Sequence, residues 1–277
     1  MIPRMPLMAV LLMFQLHLLA QPDTALRQVV PLAIGETVTI ASEILQENRV
    51  LNIYLPEGYG KDTLRKYPLI YLLDGSMDED FLHVVGLVQF GSFSWINMVP
   101  ESIVVGISNV DRKRDFTFPT RNEQDKATFP TTGGSEKFRA FLEKELIPFV
   151  ADHYRTAAQR TIIGQSLGGL LAAEILFKQP DLFDHYVIVS PSLWWDDESL
   201  LDLMPMKTRS RKSIYIAVGN EGKVMKRTAK ALYKKVGDLA DPAMSLHFRY
   251  FPNRDHADIL HEAVYHAFET LFKAKKE

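Results

Sequence analysis

The chain has 277 residues, of which 47% are hydrophobic and 24% are charged, proportions typical of one ordinary globular α/β domain. Its formal net charge of −2, without a basic stripe interleaved with aromatic residues, argues against a nucleic-acid-binding protein. Cysteine is absent, which excludes disulfides, a thiolate nucleophile and cysteine-based metal sites. The sequence has no metal-ligand cluster and no nucleotide-binding glycine loop, so we expect neither a metal nor a cofactor.

The first twenty residues have the pattern of a secretory signal peptide. Arg4 supplies a positive charge, Leu7–Leu19 forms an apolar core, and Ala20 places a small residue at the cleavage point. The apolar run is too short to cross a bilayer comfortably, which argues against a membrane anchor. We therefore predict a signal peptide over residues 1–20 and a mature domain over residues 21–277. This domain would be secreted or periplasmic, with no stable membrane anchor after cleavage.

Alternating and continuous apolar runs predict the strands of the domain. Alternation on both sides of a turn at residues 46–48 predicts an antiparallel hairpin; the apolar positions are Val38, Ile40, Ile44, Leu51, Ile53 and Leu55. Five continuous apolar runs follow, which is typical of strands that helices bury on both faces. They span residues 67–73, 102–107, 161–163, 186–189 and 214–218, and a last strand is predicted over 245–251.

Amphipathic segments between these strands predict helices. They span residues 135–153, 167–179, 224–236 and 259–272. Strands that alternate with helices after an opening hairpin predict an α/β fold, with a mostly parallel central sheet, an antiparallel edge hairpin at the N-terminal side and helices on both faces. No internal repeat or linker interrupts the pattern, so we expect residues 21–277 to form a single domain.

Ser166 is the candidate nucleophile. The run Gly164-Gln165-Ser166-Leu167-Gly168 fits the G-x-S-x-G elbow, in which a strained strand-to-helix turn holds a serine hydroxyl away from the backbone. Glycines are needed on both sides because a side chain there would collide with the neighbouring strand and helix. The predicted strand before this run and the helix after it favour the catalytic interpretation over a structural tight turn.

A serine hydroxyl needs a general base, and His256 is the candidate. It follows the predicted last strand and precedes the last helix, so it lies on a loop at the carboxyl edge of the sheet and can reach the elbow. Among the seven other histidines, His83 is the only plausible rival, because it follows the strand expected beside the oxyanion hole.

The orienting acid is less well defined by the sequence. In this chain order the acid stands between the serine and the histidine, and Glu221 follows the predicted strand 214–218. A carboxylate there would hold the histidine tautomer and stabilise the imidazolium. Asp196 and Asp197, one strand earlier, are alternatives, as is a Ser–His dyad that uses no acid.

Two backbone N–H groups are expected to form the oxyanion hole. One belongs to Leu167, immediately after the nucleophile. The other is expected from the loop that follows Asp74-Gly75, where Ser76 is the predicted donor. Such donors stabilise the negative charge that develops on the carbonyl oxygen.

Six motifs between residues 71 and 256 form a specific combination. They are Tyr71-Leu72-Leu73-Asp74-Gly75, Asp111-Arg112-Lys113-Arg114-Asp115-Phe116-Thr117-Phe118-Pro119-Thr120, Gly164-Gln165-Ser166-Leu167-Gly168-Gly169, Ser190-Pro191-Ser192-Leu193-Trp194-Trp195, Val218-Gly219-Asn220-Glu221 and Asp255-His256. Together they resemble the putative-esterase family of α/β-hydrolases, which includes the enterobactin and salmochelin esterases, esterase D and feruloyl esterases. The resemblance implies an α/β-hydrolase fold, Ser166 as nucleophile and His256 as base, and leaves the acid variable. The form of the fourth motif looks most like the siderophore-esterase branch.

Aromatic and cationic residues on the predicted loops indicate how a substrate would bind. Arg114, Phe116, Trp194 and Trp195 fall on loops at the carboxyl edge of the sheet, where ligands bind in such folds. Aromatic faces and cations would suit an aryl or catecholate ester that carries negative charge. The alternative is structural, with the tryptophans covering the core and the arginines paired with nearby aspartates.

We therefore expect a serine hydrolase that cleaves carboxylic esters through an acyl-enzyme, with siderophore or aryl esters as candidate substrates. The partner is a small-molecule ester. Two other classes fit the same sequence: a non-catalytic binding module on the hydrolase scaffold, and an acyltransferase that uses the same triad. Among hydrolases, a carbohydrate acyl esterase that acts on feruloyl or acetyl groups is the alternative.

Overall fold

A mixed sheet of eight strands organises the part of the chain that the structure describes. The computed structural model describes residues 29–273, so the predicted signal peptide lies outside the described residues. Residues 29–33 are exposed and have no regular structure, and the chain from Ile34 onward forms one compact unit. The strands are β1 (Gly35–Ser42), β2 (Glu47–Tyr54), β3 (Tyr67–Leu72), β4 (Ile103–Ile107), β5 (Thr156–Gln165), β6 (His185–Val189), β7 (Lys212–Gly219) and β8 (Met244–Phe251).

Helices connect the parallel strands. They are α1 (Phe81–Gly91), α2 (Arg112–Phe116), α3 (Glu123–Thr128), α4 (Ser135–Phe141), α5 (Ile147–His153), α6 (Leu167–Lys178), α7 (Ser199–Asp202), α8 (Lys223–Gly237) and α9 (Ile259–Leu271). The predicted helix over 135–153 is divided by a wider turn at Leu142–Leu146. Pro148 stands just after this turn and cannot donate the backbone hydrogen bond that an uninterrupted helix would require.

The strand order is β1-β2-β4-β3-β5-β6-β7-β8. Strand β2 runs antiparallel to both β1 and β4, and all the remaining neighbours are parallel. The opening hairpin pairs Val38 with Leu51, as the alternating pattern predicts. The predicted fold class, a mostly parallel sheet with an antiparallel edge hairpin, is therefore confirmed.

Two apolar cores lie on opposite faces of the sheet. One contains side chains of α1 and α9, and the other contains side chains of α4, α5, α6 and α8. Burial on both faces explains why the central strands have continuous rather than alternating apolar sequences. Because β3 to β8 are parallel, the loops after their carboxyl ends meet at one edge of the sheet, and this edge carries the candidate site.

Candidate active site

Ser166 occupies a strained turn between β5 and α6. Its backbone has φ 59° and ψ −119°, a conformation that residues other than glycine rarely adopt. A Cβ added at Gly164 would lie 2.4 Å from the carbonyl oxygen of Gly168, so glycine is required where the strand and helix approach. The local sequence therefore produces the predicted elbow, and the serine hydroxyl is held at the carboxyl edge of the sheet.

His256 and Glu221 form a hydrogen-bonded pair on neighbouring loops. Nδ1 of His256 lies 2.6 Å from Oε2 of Glu221. The histidine side chain is 47% exposed, whereas that of Glu221 is only 3% exposed. With Nδ1 engaged by the carboxylate, Nε2 is the ring nitrogen that can exchange a proton with another group.

Further donors fix the Glu221 carboxylate. Its other oxygen, Oε1, accepts hydrogen bonds from the Ser190 hydroxyl at 2.5 Å and from the Gly219 N–H at 2.9 Å. Burial alone would raise the pKa of the Glu221 carboxyl, but the hydrogen bonds from His256, Ser190 and Gly219 outweigh burial and lower the pKa overall. Glu221 is therefore an ionised, oriented partner for the imidazole.

The alternative acids lie in other networks. Asp196 accepts hydrogen bonds from the Thr120 hydroxyl and the Arg121 N–H, and it is buried. Asp197 accepts a hydrogen bond from the side chain of Asn122. The structure thus brings Glu221, and neither of these aspartates, against His256.

Ser166 and His256 share one cavity of about 390 Å³. Its lining consists of Asp74, Glu79, Asp80, Arg112, Gln165, Ser166, His256 and Ala257. The Ser166 hydroxyl lies 3.3 Å from the Ser192 hydroxyl, and within residues 29–273 no hydrogen bond joins Ser166 to His256. Loose geometry of this kind is common before a substrate is bound, because catalytic hydrogen bonds often tighten in the complex.

The cavity lining also carries an ion pair between the loop after β3 and the first residue of α2. Arg112 binds both oxygens of Asp74, at 2.6 Å and 2.8 Å, and also donates to the carbonyl of Gln165 at 3.3 Å. The pair therefore links the loop after β3 to the residue that precedes the nucleophile. The sequence predicts Arg112 as one of the cations on the substrate-binding loops and places Asp74 in the loop after β3, but it does not predict the contact between them.

Asp80 is the most perturbed carboxyl of the cavity. Burial first, and then repulsion from Asp74 and Glu79, raise its pKa to about 6, although His83 and Arg112 partly oppose the shift. The acidic run that begins at Asp78, directly after the loop that follows β3, is the sequence signal that could have identified this wall.

Three backbone N–H groups follow β3, in the loop where the sequence predicts Ser76 as an oxyanion donor. The N–H of Ser76 faces a carboxylate oxygen of Glu79 at 3.4 Å, and the N–H of Gly75 is bonded to the Ile107 carbonyl. Asp74 lines the cavity and has φ 55°, and no acceptor for its N–H is found in the part of the chain that the structure describes. Leu167 begins α6, where the first N–H groups have no partner within the helix.

Two of the predicted substrate-binding residues are core residues. Phe116 and Trp195 are both 0% exposed. Phe116 packs edge-on against Phe138, and the indole N–H of Trp195 donates to the carbonyl of Phe118. Neither ring has a surface that a ligand can reach, so the prediction that they bind substrate is wrong.

The two other predicted contacts also lie away from the cavity lining. Arg114 uses its guanidinium on Asp115 and on both oxygens of Glu47, so its charge is satisfied inside the protein. Trp194 is half-buried and packs on Phe129. The structural alternative, in which the arginine pairs internally and the tryptophan covers the core, describes both residues better.

His83, the rival base, stands on α1 and faces α9. Its ring lies 5.9 Å from that of His261, and both rings line a separate groove of about 550 Å³. It therefore does not share the cavity of Ser166.

Between residues 29 and 273, no cluster of three or more acidic or histidine side chains is arranged to hold a metal ion. No helix in the same range is both long and apolar enough to cross a membrane.

Comparison with known families agrees with this geometry. The family model described as "Putative esterase" matches residues 42–270. The chain belongs to this esterase family. As a member, it is a carboxylic ester hydrolase with the α/β-hydrolase fold.

Individual relatives of this chain are named as esterases or hydrolases. The ferri-bacillibactin esterase BesA of Bacillus subtilis is 28% identical over 77% of this chain and 82% of its own length. A crystal structure of an IroE-like serine hydrolase from Shewanella oneidensis is 30% identical, with a TM-score of 0.76 over 87% of this chain and 82% of that one. The siderophore hydrolase EstA of Aspergillus nidulans shares the fold at 20% identity, with a TM-score of 0.73 over 89% of this chain and 97% of its own.

Proposed function

We propose that this chain hydrolyses esters by serine catalysis, with Ser166 as nucleophile, His256 as general base and Glu221 as the orienting acid. The hydrogen bond between His256 and Glu221, beside a cavity that also contains the elbow serine, is the observation that supports this assignment most strongly. A histidine oriented by a buried carboxylate is the arrangement that activates a serine hydroxyl at neutral pH.

The proposed reaction proceeds in two steps. Oγ of Ser166 attacks the ester carbonyl while Nε2 of His256 accepts the hydroxyl proton. The bond to the alcohol then breaks, and His256 returns the proton to the departing oxygen, which leaves an acyl group on Ser166. Water then attacks this acyl group with the same histidine as base, the bond to Oγ of Ser166 breaks, and His256 returns the proton to that oxygen as the carboxylic acid is released.

We assign the oxyanion hole to the backbone N–H groups of Leu167 and Asp74. Leu167 supports the assignment because it directly follows the nucleophile at the start of a helix, where an anion is favourable. Asp74 supports it because its N–H is unengaged in the described structure and the residue lines the cavity. Ser76, the donor predicted from the sequence, directs its N–H toward Glu79 instead.

We propose ester-linked siderophores as the substrate class. The support is the naming of the relatives, which include a ferri-bacillibactin esterase and siderophore hydrolases. Export of the enzyme, predicted from residues 1–20, is a separate proposal that would give it access to such extracellular ligands.

A substrate panel tests both parts of the proposal. Trilactone siderophores, feruloyl esters, acetylated sugars and short acyl esters are ranked by kcat/KM, with Ser166→Ala as the inactive control. We expect the trilactones to rank first. If sugar or short acyl esters rank first, the substrate class is wrong while the mechanism stands, and if Ser166→Ala retains activity, the mechanism is wrong. An alcohol acceptor added to the assay reports acyl transfer through formation of a new ester.

A further inference from the structure

A short loop after β6 connects the nucleophile with the acid. We call residues 190–192 the support loop. The N–H of Ser190 donates to the carbonyl of Ala217 on β7 at 2.8 Å, and the N–H of Ser192 donates to the carbonyl of Ser166 at 3.0 Å. Both serines are almost fully buried, at 0% and 2% exposure. The loop is therefore fixed to the elbow on one side and to the strand that precedes Glu221 on the other.

Ser190 also has an unusual backbone. Its φ is 43°, in the left-handed region that favours glycine. Residues held in such conformations are concentrated at functional sites, where the surrounding structure enforces them. A glycine would adopt this backbone without strain, so the presence of serine indicates that its side chain is used.

The Ser190 hydroxyl contacts the acid on the side opposite the histidine. It donates to Oε1 of Glu221, while Oε2 of the same carboxylate binds His256. The only other donor to Oε1 among the described residues is the N–H of Gly219. Because the Glu221 side chain is 3% exposed, water cannot readily replace a missing hydroxyl.

We propose that Ser190 is a positioning residue for the reaction described above: its hydroxyl holds the Glu221 carboxylate in the orientation that pairs with His256. The inference rests on the proposed triad. Without the hydroxyl, Oε1 keeps only the Gly219 N–H as donor, so the carboxylate is held less firmly against the ring. The histidine would then lose the partner that fixes its tautomer, and turnover would fall without a matching change in substrate binding.

The variants Ser190→Ala and Ser190→Gly test this role. Both remove the hydroxyl, and the glycine variant suits the positive φ, so it provides a folded protein if the alanine variant is unstable. Ser102→Ala is the matched control. Ser102 is 1% exposed and its hydroxyl donates to the Pro100 carbonyl, but it precedes β4 at the opposite end of the sheet.

Kinetics of a short acyl ester give the first measurement. We expect kcat to fall by about tenfold in both Ser190 variants, with KM changed by less than about twofold, because a buried hydrogen bond to a charged group is lost. The control variant should retain the wild-type kcat. A kcat within about twofold of wild type in both Ser190 variants would overturn the proposal.

The far-downfield NMR resonance of the histidine Nδ1–H gives a second measurement that does not depend on hydrolysis. It should be present in the wild type and in Ser102→Ala, and it should broaden or disappear in the Ser190 variants and in Glu221→Gln. A resonance unchanged by loss of the Ser190 hydroxyl, or absent from the wild type, contradicts the positioning role. If no ester is cleaved but the resonance responds as expected, the proposed function fails and the positioning of Glu221 stands.

Discussion

The ionisation of Asp80 makes the folded state less stable as pH rises. Its pKa is raised from 3.8 to about 6 in the folded protein, so the charged form is disfavoured there. The cost is absent below the unfolded pKa, grows between 3.8 and about 6, and is complete above that range. Asp80 lines the same cavity as Ser166 although its ionisation lowers the stability of the folded protein. A destabilising carboxyl group in this position indicates a role in function.

The raised pKa of Asp80 therefore predicts that Asp80→Asn stabilises the folded protein, and that the gain depends on pH. We expect the free energy of unfolding to rise by about 1–2 kcal/mol at pH 8, and the gain to shrink as pH falls below about 6, because the wild-type carboxyl is then protonated. Urea unfolding at pH 5 and pH 8 measures the difference. Asp78→Asn, at an exposed position on the same loop, is the control. An equal effect of Asp80→Asn at both pH values would contradict the assignment.

The proposal that Glu221 is the orienting acid predicts different effects for substitutions of Glu221 and Asp197. Glu221→Gln should lower kcat by about 10³-fold to 10⁴-fold, because an amide at this position no longer stabilises the imidazolium. Asp197→Asn should leave kcat close to wild type, since Asp197 bonds only to the side chain of Asn122 among the described residues. Steady-state kinetics of both variants, with thermal unfolding as the folding control, make the comparison. The reverse pattern would make Asp197 the acid.

The sequence predicts the proposed triad better than it predicts the cavity wall. Ser166 and His256 follow strands whose order along the chain fixes where their loops meet. Phe116 and Trp195, in contrast, are predicted on loops at the same edge, but Phe116 ends α2, Trp195 begins a short helical turn, and both rings are buried in the core. An aromatic residue on a loop has two favourable places, the core and a pocket, and its sequence neighbours do not distinguish them.

At the level of secondary structure, α2 holds the loop after β3 in place. Its first residue, Arg112, joins Asp74 to the Gln165 carbonyl. Asp74 has a positive φ, so its backbone needs such external support to keep its conformation. The short helix therefore supports the loop that carries the proposed oxyanion donor Asp74.

Arg112→Met should consequently impair catalysis more than binding. We expect kcat to fall by about 10-fold to 100-fold, because one oxyanion donor loses its fixed position, while KM changes little. Arg121→Met is the control, since Arg121 is exposed and lies outside the cavity lining. Initial-rate measurements on a neutral ester, together with thermal unfolding, test the expectation. A folded Arg112 variant with wild-type kcat would disprove the role.

Most strands and long helices are predictable from periodicity, and the exceptions have physical reasons. Helix α1 was not predicted because its sequence is apolar on several sides and contains the β-branched pair Val84 and Val85, which also suits a strand. Strand β5 extends five residues before the predicted start, because Thr156–Arg160 is too polar to show a strand pattern. Pairing with β3 stabilises this part of β5, which a local pattern cannot reveal.

Across the whole molecule, the distribution of charge matters more than its small net value of −2. The cavity lining carries three carboxylates, of Asp74, Glu79 and Asp80, against the single guanidinium of Arg112. Arg112 is paired with Asp74, which leaves Glu79 and Asp80 as the acidic wall of the cavity, and Asp80 is mostly ionised above about pH 6. An anionic siderophore would have to keep its charged groups outside this cavity while its ester linkage enters.

This wall predicts discrimination between esters by charge. At pH 8 a neutral nitrophenyl butyrate should be cleaved with a kcat/KM about fivefold to tenfold higher than that of the anionic hemisuccinate, because the acyl carboxylate is repelled. The ratio of the two kcat/KM values should fall toward one at high salt and in the double variant Glu79→Gln/Asp80→Asn. Equal rates for the two esters at low salt would show that the wall does not face the bound acyl group.

Activation of Ser166 by the His256–Glu221 pair is the central claim, and labelling with a fluorophosphonate probe tests it most directly. Such probes react with serines that are activated as nucleophiles. We predict one probe per chain, located by peptide mapping at Ser166, and much slower labelling in His256→Ala. Labelling at another residue, or an unchanged rate in His256→Ala, would contradict the account.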